Sequence, residues 1–78
     1  MDTADHVTDL LIRMYRLSPT SVVPDVPLHQ LRIDSLALEE LRLVLEDELD
    51  IDLEDVNLTS RSTVGQLVDV VVQKSRAA

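Results

Sequence analysis

Apolar positions near the start of the chain recur at helical spacing. Val7, Leu10, Leu11, Met14 and Leu17 follow the i, i+3, i+4, i+7 pattern, which predicts an amphipathic helix over roughly Thr3 to Leu17. Asp2, Thr3 and Asp5 stand where capping and the helix dipole favour oxygen acceptors and negative charge. Ser18-Pro19 is expected to end this helix, because proline disfavours helical geometry in the residue before it. From Ser18 to Ile33 the period disappears and all three prolines occur, so this stretch reads as a long loop. Val22, Val23, Val26, Leu28, Leu31 and Ile33 are spread through it, and the loop is expected to pack onto the core. A second helix is predicted from Asp34-Ser35 to about Leu49, with a weak stop signal because neither Gly nor Pro follows closely. A short helix or turn is expected around Glu54 to Leu58. The last helix starts at Ser62 or Thr63 and carries Val64, Leu67, Val68, Val71 and Val72 to about Ser75. The pattern as a whole predicts an all-α fold, a four-helix bundle of three main helices and one short one with a long loop between helices 1 and 2. It forms one domain over residues 1–78.

The second helix has two apolar faces. At about 100° per residue, with Leu36 set to zero, Leu38, Leu41, Leu45 and Leu49 fall between roughly 140° and 220°. That stripe reads as core. Leu36 and Leu43 fall on the opposite side, within about 20° of each other, and Glu39, Glu40, Glu46 and Asp47 lie around them. Single surface leucines are ordinary and by themselves mark nothing. Here the segment from Asp34 to Asp55 holds ten acidic residues and one basic residue, Arg42. Like charges at helical spacing cost a few tenths of a kcal/mol per pair. An apolar pair inside such a ring has the anatomy of an interface for a basic partner.

Size and composition narrow the function. A 78-residue domain has a marginal core, and a large preformed catalytic pocket is hard to fit into it. Without cysteine there are no disulfides and no thiolate metal sites. With Tyr15 as its single aromatic residue, the chain must build its core from Leu, Val and Ile. A net charge of −8 disfavours nucleic acid and anionic membrane surfaces as partners. No signal peptide and no membrane-spanning run is read from the sequence, so a cytoplasmic monomer is expected.

Ser35 combines chemistry with position. It stands at the predicted start of the second helix, where unpartnered N–H groups and the helix dipole favour a phosphate. The same position also suits an ordinary cap, and the residues alone leave both readings open. The run Leu31-Arg32-Ile33-Asp34-Ser35-Leu36 resembles the Leu-Gly-x-Asp-Ser-Leu signature of acyl and peptidyl carrier proteins. Leu41 to Ile51 is similar to that family's acidic recognition helix and the segment after it. Thr63-Val64-Gly65-Gln66-Leu67 is similar to the opening of its last helix. The resemblance implies that Ser35, with Asp34 beside it, receives 4′-phosphopantetheine from coenzyme A through a phosphopantetheinyl transferase. It also implies that Leu36, Glu39, Glu40, Leu43, Glu46 and Asp47 meet acyl or aminoacyl ligases, acyltransferases or ketosynthases through basic docking patches. The thiol would belong to the prosthetic group, which accounts for thioester chemistry in a cysteine-free chain. Arg32 departs from the pattern, standing where the family usually has glycine, and is expected to alter loop geometry or add a contact.

Other readings fit less well. A serine hydrolase lacks the Gly-x-Ser-x-Gly elbow around Ser35, and the available bases are His6 on the first helix and His29 in the loop. Asp50, Asp52 and Glu54 are spaced like the start of a calcium loop, but Asp55 and Arg61 occupy the positions that need Gly and Glu. An unmodified interaction module, using Ser35 only as a cap, is the main alternative to a non-enzymatic carrier. Within the family, a discrete carrier of polyketide or nonribosomal-peptide intermediates is the expectation. Fatty-acid synthesis and D-alanylation are the alternatives.

Overall fold

The computed structural model describes residues 2–77. Its helices are α1 (Thr3–Tyr15), α2 (Ser35–Leu49) and α3 (Val64–Ala77), with two 3₁₀ turns, Pro19–Ser21 and Leu28–Leu31, in the first loop. Among the described residues there is no strand, only an isolated antiparallel bridge between Pro27 and Thr63. No helix among them is long and apolar enough to cross a membrane.

Each helix starts on a side chain that satisfies a free backbone donor. Asp2 accepts the Asp5 N–H at 2.8 Å to open α1. Thr63 and Gln66 form a reciprocal box at the start of α3, in which the Gln66 N–H donates to Thr63 Oγ1 at 3.2 Å and the Thr63 N–H to Gln66 Oε1 at 2.9 Å. The ends are less conventional. α1 stops at Tyr15, two residues short of the predicted Leu17, because Arg16 turns left-handed (φ 55°). α2 stops because Asp50 does the same (φ 53°). In both cases the next N–H reaches back across the turn, from Leu17 to the Ile12 carbonyl at 3.1 Å and from Ile51 to the Glu46 carbonyl at 3.2 Å. Pro19 therefore opens a 3₁₀ turn and does not end the helix itself.

The core is aliphatic throughout. Val7, Leu10 and Leu11 of α1 meet Leu38, Leu41 and Leu45 of α2 and Val64, Leu67 and Val71 of α3, and Val22, Leu28, Leu31, Ile33 and Leu53 fill in from the connections. Among the described residues no polar or charged one is buried with them. The first loop packs through Val22, Val26, Leu28, Leu31 and Ile33 as expected, while Val23 is exposed, and four backbone bonds clip it to the lead-in of α3. The Leu28 and His29 N–H groups donate to the Ser62 and Ser60 carbonyls, both at 2.8 Å. The Val64 and Gly65 N–H groups return to Val26 (2.9 Å) and Pro24 (3.0 Å). At Gly65 a Cβ would sit 3.2 Å from the Pro24 carbonyl oxygen, so close approach accounts for the chain's single glycine.

Of the short helix or turn expected around Glu54 to Leu58 no helix forms, so the described residues hold three helices where four were predicted. Residues 54 and 55 form a turn instead. Leu53 is fully buried, and α2 side chains take both of its backbone groups. Glu46 Oε2 accepts its N–H at 2.7 Å, and Arg42 Nη2 donates to its carbonyl at 2.5 Å. Asp52 accepts the Glu54 N–H at 2.9 Å, and Lys74 on α3 holds Asp55 through both carboxylate oxygens at 2.8 and 2.9 Å. These local and side-chain bonds hold the start of the segment as a turn.

Leu41 is fully buried between the elements. Leu41→Ala is expected to lower the unfolding free energy by about 2–5 kcal/mol in a urea titration followed by circular dichroism, a large share of a small domain's stability.

Candidate functional site

The approach to α2 is anchored on both sides of its first residue. Leu31 and Ile33 are buried before it and Leu38 after it, so the register of the segment between them is set by the core. Arg32 lies between the two buried residues in the left-handed region (φ 64°), with its N–H donating to the His29 carbonyl at 3.1 Å. That geometry explains why glycine suits this position. An arginine there carries a backbone penalty of about 1–2 kcal/mol.

Asp34 is the cap of α2. Its Oδ1 accepts the Ala37 N–H at 2.8 Å, and its carbonyl accepts the Leu38 N–H at 2.8 Å. Ser35 is the first helical residue and is exposed. Among the described residues its hydroxyl makes no hydrogen bond. The two roles that sequence left merged at Asp34-Ser35 therefore separate, with the carboxylate capping and the hydroxyl free.

The faces of α2 divide as their angles predict. Leu36 is 71% exposed and Leu43 64%, and Glu39, Glu40 and Asp47 are exposed around them. Glu46 differs from the rest of that ring. It is half-buried, and its carboxylate holds the Leu53 N–H, so its first task is to pin the following loop. Arg42 does the same from the other side while reaching Glu39 at 3.4 Å.

Tyr15 has no assigned role in the sequence reading, yet the structure brings it to this end of the molecule. Its hydroxyl donates to the Ala37 carbonyl at 3.1 Å, tying the end of α1 to the first turn of α2. Being the only aromatic residue was the one signal that could have drawn attention to it. Burial raises its pKa above the ordinary value near 10, and the Glu40 and Asp34 carboxylates add to the rise. The same carboxylates make the surroundings of Ser35 electronegative.

The histidines lie elsewhere. His6 Nε2 meets Glu48 Oε1 at 2.9 Å near the far end of α2, roughly 20 Å along the helix axis from Ser35 at 1.5 Å per residue. His29 is exposed in the second 3₁₀ turn. Among the described residues no group of three His or acidic side chains is placed to hold a metal ion.

Comparison with known proteins agrees with this geometry. The sequence profile described as a phosphopantetheine attachment site matches residues 5–71. An acyl carrier protein from Picosynechococcus sp. is 30% identical over 74 residues, covering 94% of this chain and 91% of the relative. No solved structure gives a significant match.

Two outcomes follow from the capping and from Tyr15. Asp34→Ala should cost about 1 kcal/mol in thermal or urea unfolding, whereas Ser35→Ala should leave stability within about 0.5 kcal/mol. Tyr15 has a folded pKa above its unfolded one, so its contribution is fully present below the unfolded value near 10 and is lost as pH rises through the folded value. Alkaline titration of stability should therefore fall more steeply above about pH 10 in the wild type than in Tyr15→Phe.

Proposed function

The chain belongs to the phosphopantetheine-binding carrier proteins, and on that premise we propose that Ser35 carries the 4′-phosphopantetheine arm and presents acyl, aminoacyl or polyketide groups to partner enzymes. The observation that carries this reading is the free, exposed hydroxyl of Ser35 at the first position of α2, beside a cap that leaves it unused. The residues present fit the group. Asp34 occupies the Ala37 N–H, so the amides nearest a phosphodiester on Ser35 are those of Ser35 and Leu36, at the positive end of the helix dipole. When attached, the arm supplies the thiol that this cysteine-free chain lacks, and cargo is held on it as a thioester. The chain's own contribution is placement. Buried Ile33 and Leu38 hold Ser35 in one position while leaving its side chain in solvent.

Partner enzymes meet the exposed face of α2. Leu36 and Leu43 are the apolar anchors, and Asp34, Glu39, Glu40 and Asp47 are the charged rim that steers a basic patch. A phosphopantetheinyl transferase and acyl- or aminoacyl-handling enzymes are the partners this surface fits. Glu46 acts on that face indirectly, by fixing the loop through Leu53. We read the chain as a single non-catalytic carrier domain working in the cytoplasm as a monomer. Arg32 at the family's glycine position, three residues before Ser35, favours a specialised polyketide or nonribosomal-peptide system over fatty-acid synthesis or D-alanylation.

Incubation with coenzyme A and a broad-specificity phosphopantetheinyl transferase, followed by intact-mass measurement, tests the assignment. One phosphopantetheine per chain is expected on the wild type and none on Ser35→Ala. An unchanged wild-type mass, or a gain that survives Ser35→Ala, would leave an unmodified interaction module as the better account.

A further inference from the structure

A groove of about 380 Å³ opens where the end of α1 meets the segment leading into α2. Tyr15, Leu17 and Leu31 form its apolar walls, and Arg16 and Arg32 both border it. The groove lies at the same end of the molecule as Ser35, because Arg32 precedes that residue by three positions and the Tyr15 hydroxyl holds the Ala37 carbonyl two positions after it.

The two arginines share three properties. Both are exposed. Both have left-handed backbones, with φ of 55° and 64°. And among the described residues neither meets a carboxylate, as is true of Arg61 and Arg76 also, whereas His6, Arg13, Arg42 and Lys74 have acidic partners. A non-glycine residue in the left-handed region costs about 1–2 kcal/mol, and at exposed positions no core packing offsets it. The turns themselves are structural, closing α1 at Arg16 and the second 3₁₀ turn at Arg32, so what an arginine adds at either position is its charge at the groove. Each side chain also leaves from a bonded turn, Arg16 through the Ile12 carbonyl and Arg32 through the His29 carbonyl, which sets where its guanidinium starts.

We propose that this groove receives the free carboxylate of an anionic acyl group carried on the arm, with Arg16 and Arg32 as its counter-charges. The inference rests on Ser35 being the attachment point. A dicarboxylate-derived cargo has an apolar stem that suits Tyr15, Leu17 and Leu31 and an anionic end that guanidinium recognises. Without the two arginines such a cargo would meet the acidic surroundings of α2, set by Asp34, Glu39 and Glu40. The phosphodiester of the arm is a poorer occupant, because it is tethered to the helix start and has no apolar portion to fill the walls.

The test loads Ser35 with a glutaryl or a pentanoyl arm from the matching coenzyme A thioesters, confirms loading by intact mass, and compares the two forms by ¹⁵N-edited NMR. Glutaryl should shift the Arg16 and Arg32 side-chain Nε–H signals and the Gln30 and Leu31 amides relative to pentanoyl. About 0.5 M sodium chloride should largely erase the difference. Arg16→Gln combined with Arg32→Gln should reduce it to about a fifth or less, as expected for two exposed charge contacts. Arg32→Gly, which relieves the left-handed backbone, serves as a second variant and should reduce it as well. Identical spectra for the two cargoes, equal shifts from the bare arm, shifts that survive the double substitution, or shifts that grow with protein concentration would each overturn the inference. Failure to gain mass at Ser35 would overturn the attachment reading instead, so the two failures are distinguishable.

Discussion

The bond from the Ala37 N–H to the Asp34 carboxylate determines where α2 begins, and the rest of this end of the molecule is arranged around it. Because the cap falls on residue 34, the stripe of Leu38, Leu41 and Leu45 turns into the core and the pair Leu36 and Leu43 turns out. Ser35 falls between buried Ile33 and buried Leu38 without being buried itself. A cap one residue later would make the serine hydroxyl the acceptor, and the group proposed to carry the arm would be spent on the backbone. The long first loop gains its purpose from the same constraint. Its four bonds to the lead-in of α3 and its buried leucines deliver residue 34 to a fixed place, so a 15-residue helix can present one hydroxyl reproducibly.

Glycine scarcity is the second constraint. The single glycine is committed where α3 packs against Pro24, yet the chain needs three left-handed turns. Arg16, Arg32 and Asp50 supply them. Asp tolerates that conformation better than most residues, and at Asp50 the turn serves only to end a helix. The arginines pay more strain and bring charge to the rim of one groove beside Ser35. Their cost and their placement are thus two sides of one choice, made in a chain whose other surfaces are predominantly acidic.

Much of this was legible beforehand. Periodicity located all three helices and assigned the correct faces to them, because amphipathic helices in a small domain have one core to face. The exposure of Leu36 and Leu43 followed from 100° steps alone. What could not be read were features made by contacts distant in sequence. The stop at Arg16 has no local signature, since left-handed turns usually announce themselves with glycine. The segment after Leu53 has helix-compatible residues, but Arg42 and Glu46 reach from α2 to hold the backbone of Leu53 at its start. That contact also takes Glu46 partly out of the acidic ring in which its angle placed it. Tyr15 likewise gained its role from a carbonyl 22 positions away. The ambiguity at Asp34-Ser35 was of a different kind, because both residue types cap helices, and in the fold the Asp34 carboxylate does so.

The central claim is that Ser35 bears the prosthetic group in the working protein, and its position in the chain makes this directly measurable. Trypsin, cutting after Arg32 and Arg42, releases the peptide Ile33–Arg42, in which Ser35 is the sole hydroxyl-bearing residue. Tandem mass spectrometry of that peptide, taken from protein purified from its own host, should find phosphopantetheine, free or acylated, on Ser35. Recovery of the peptide only in its unmodified form, with the group absent or located elsewhere in the chain, would contradict the account.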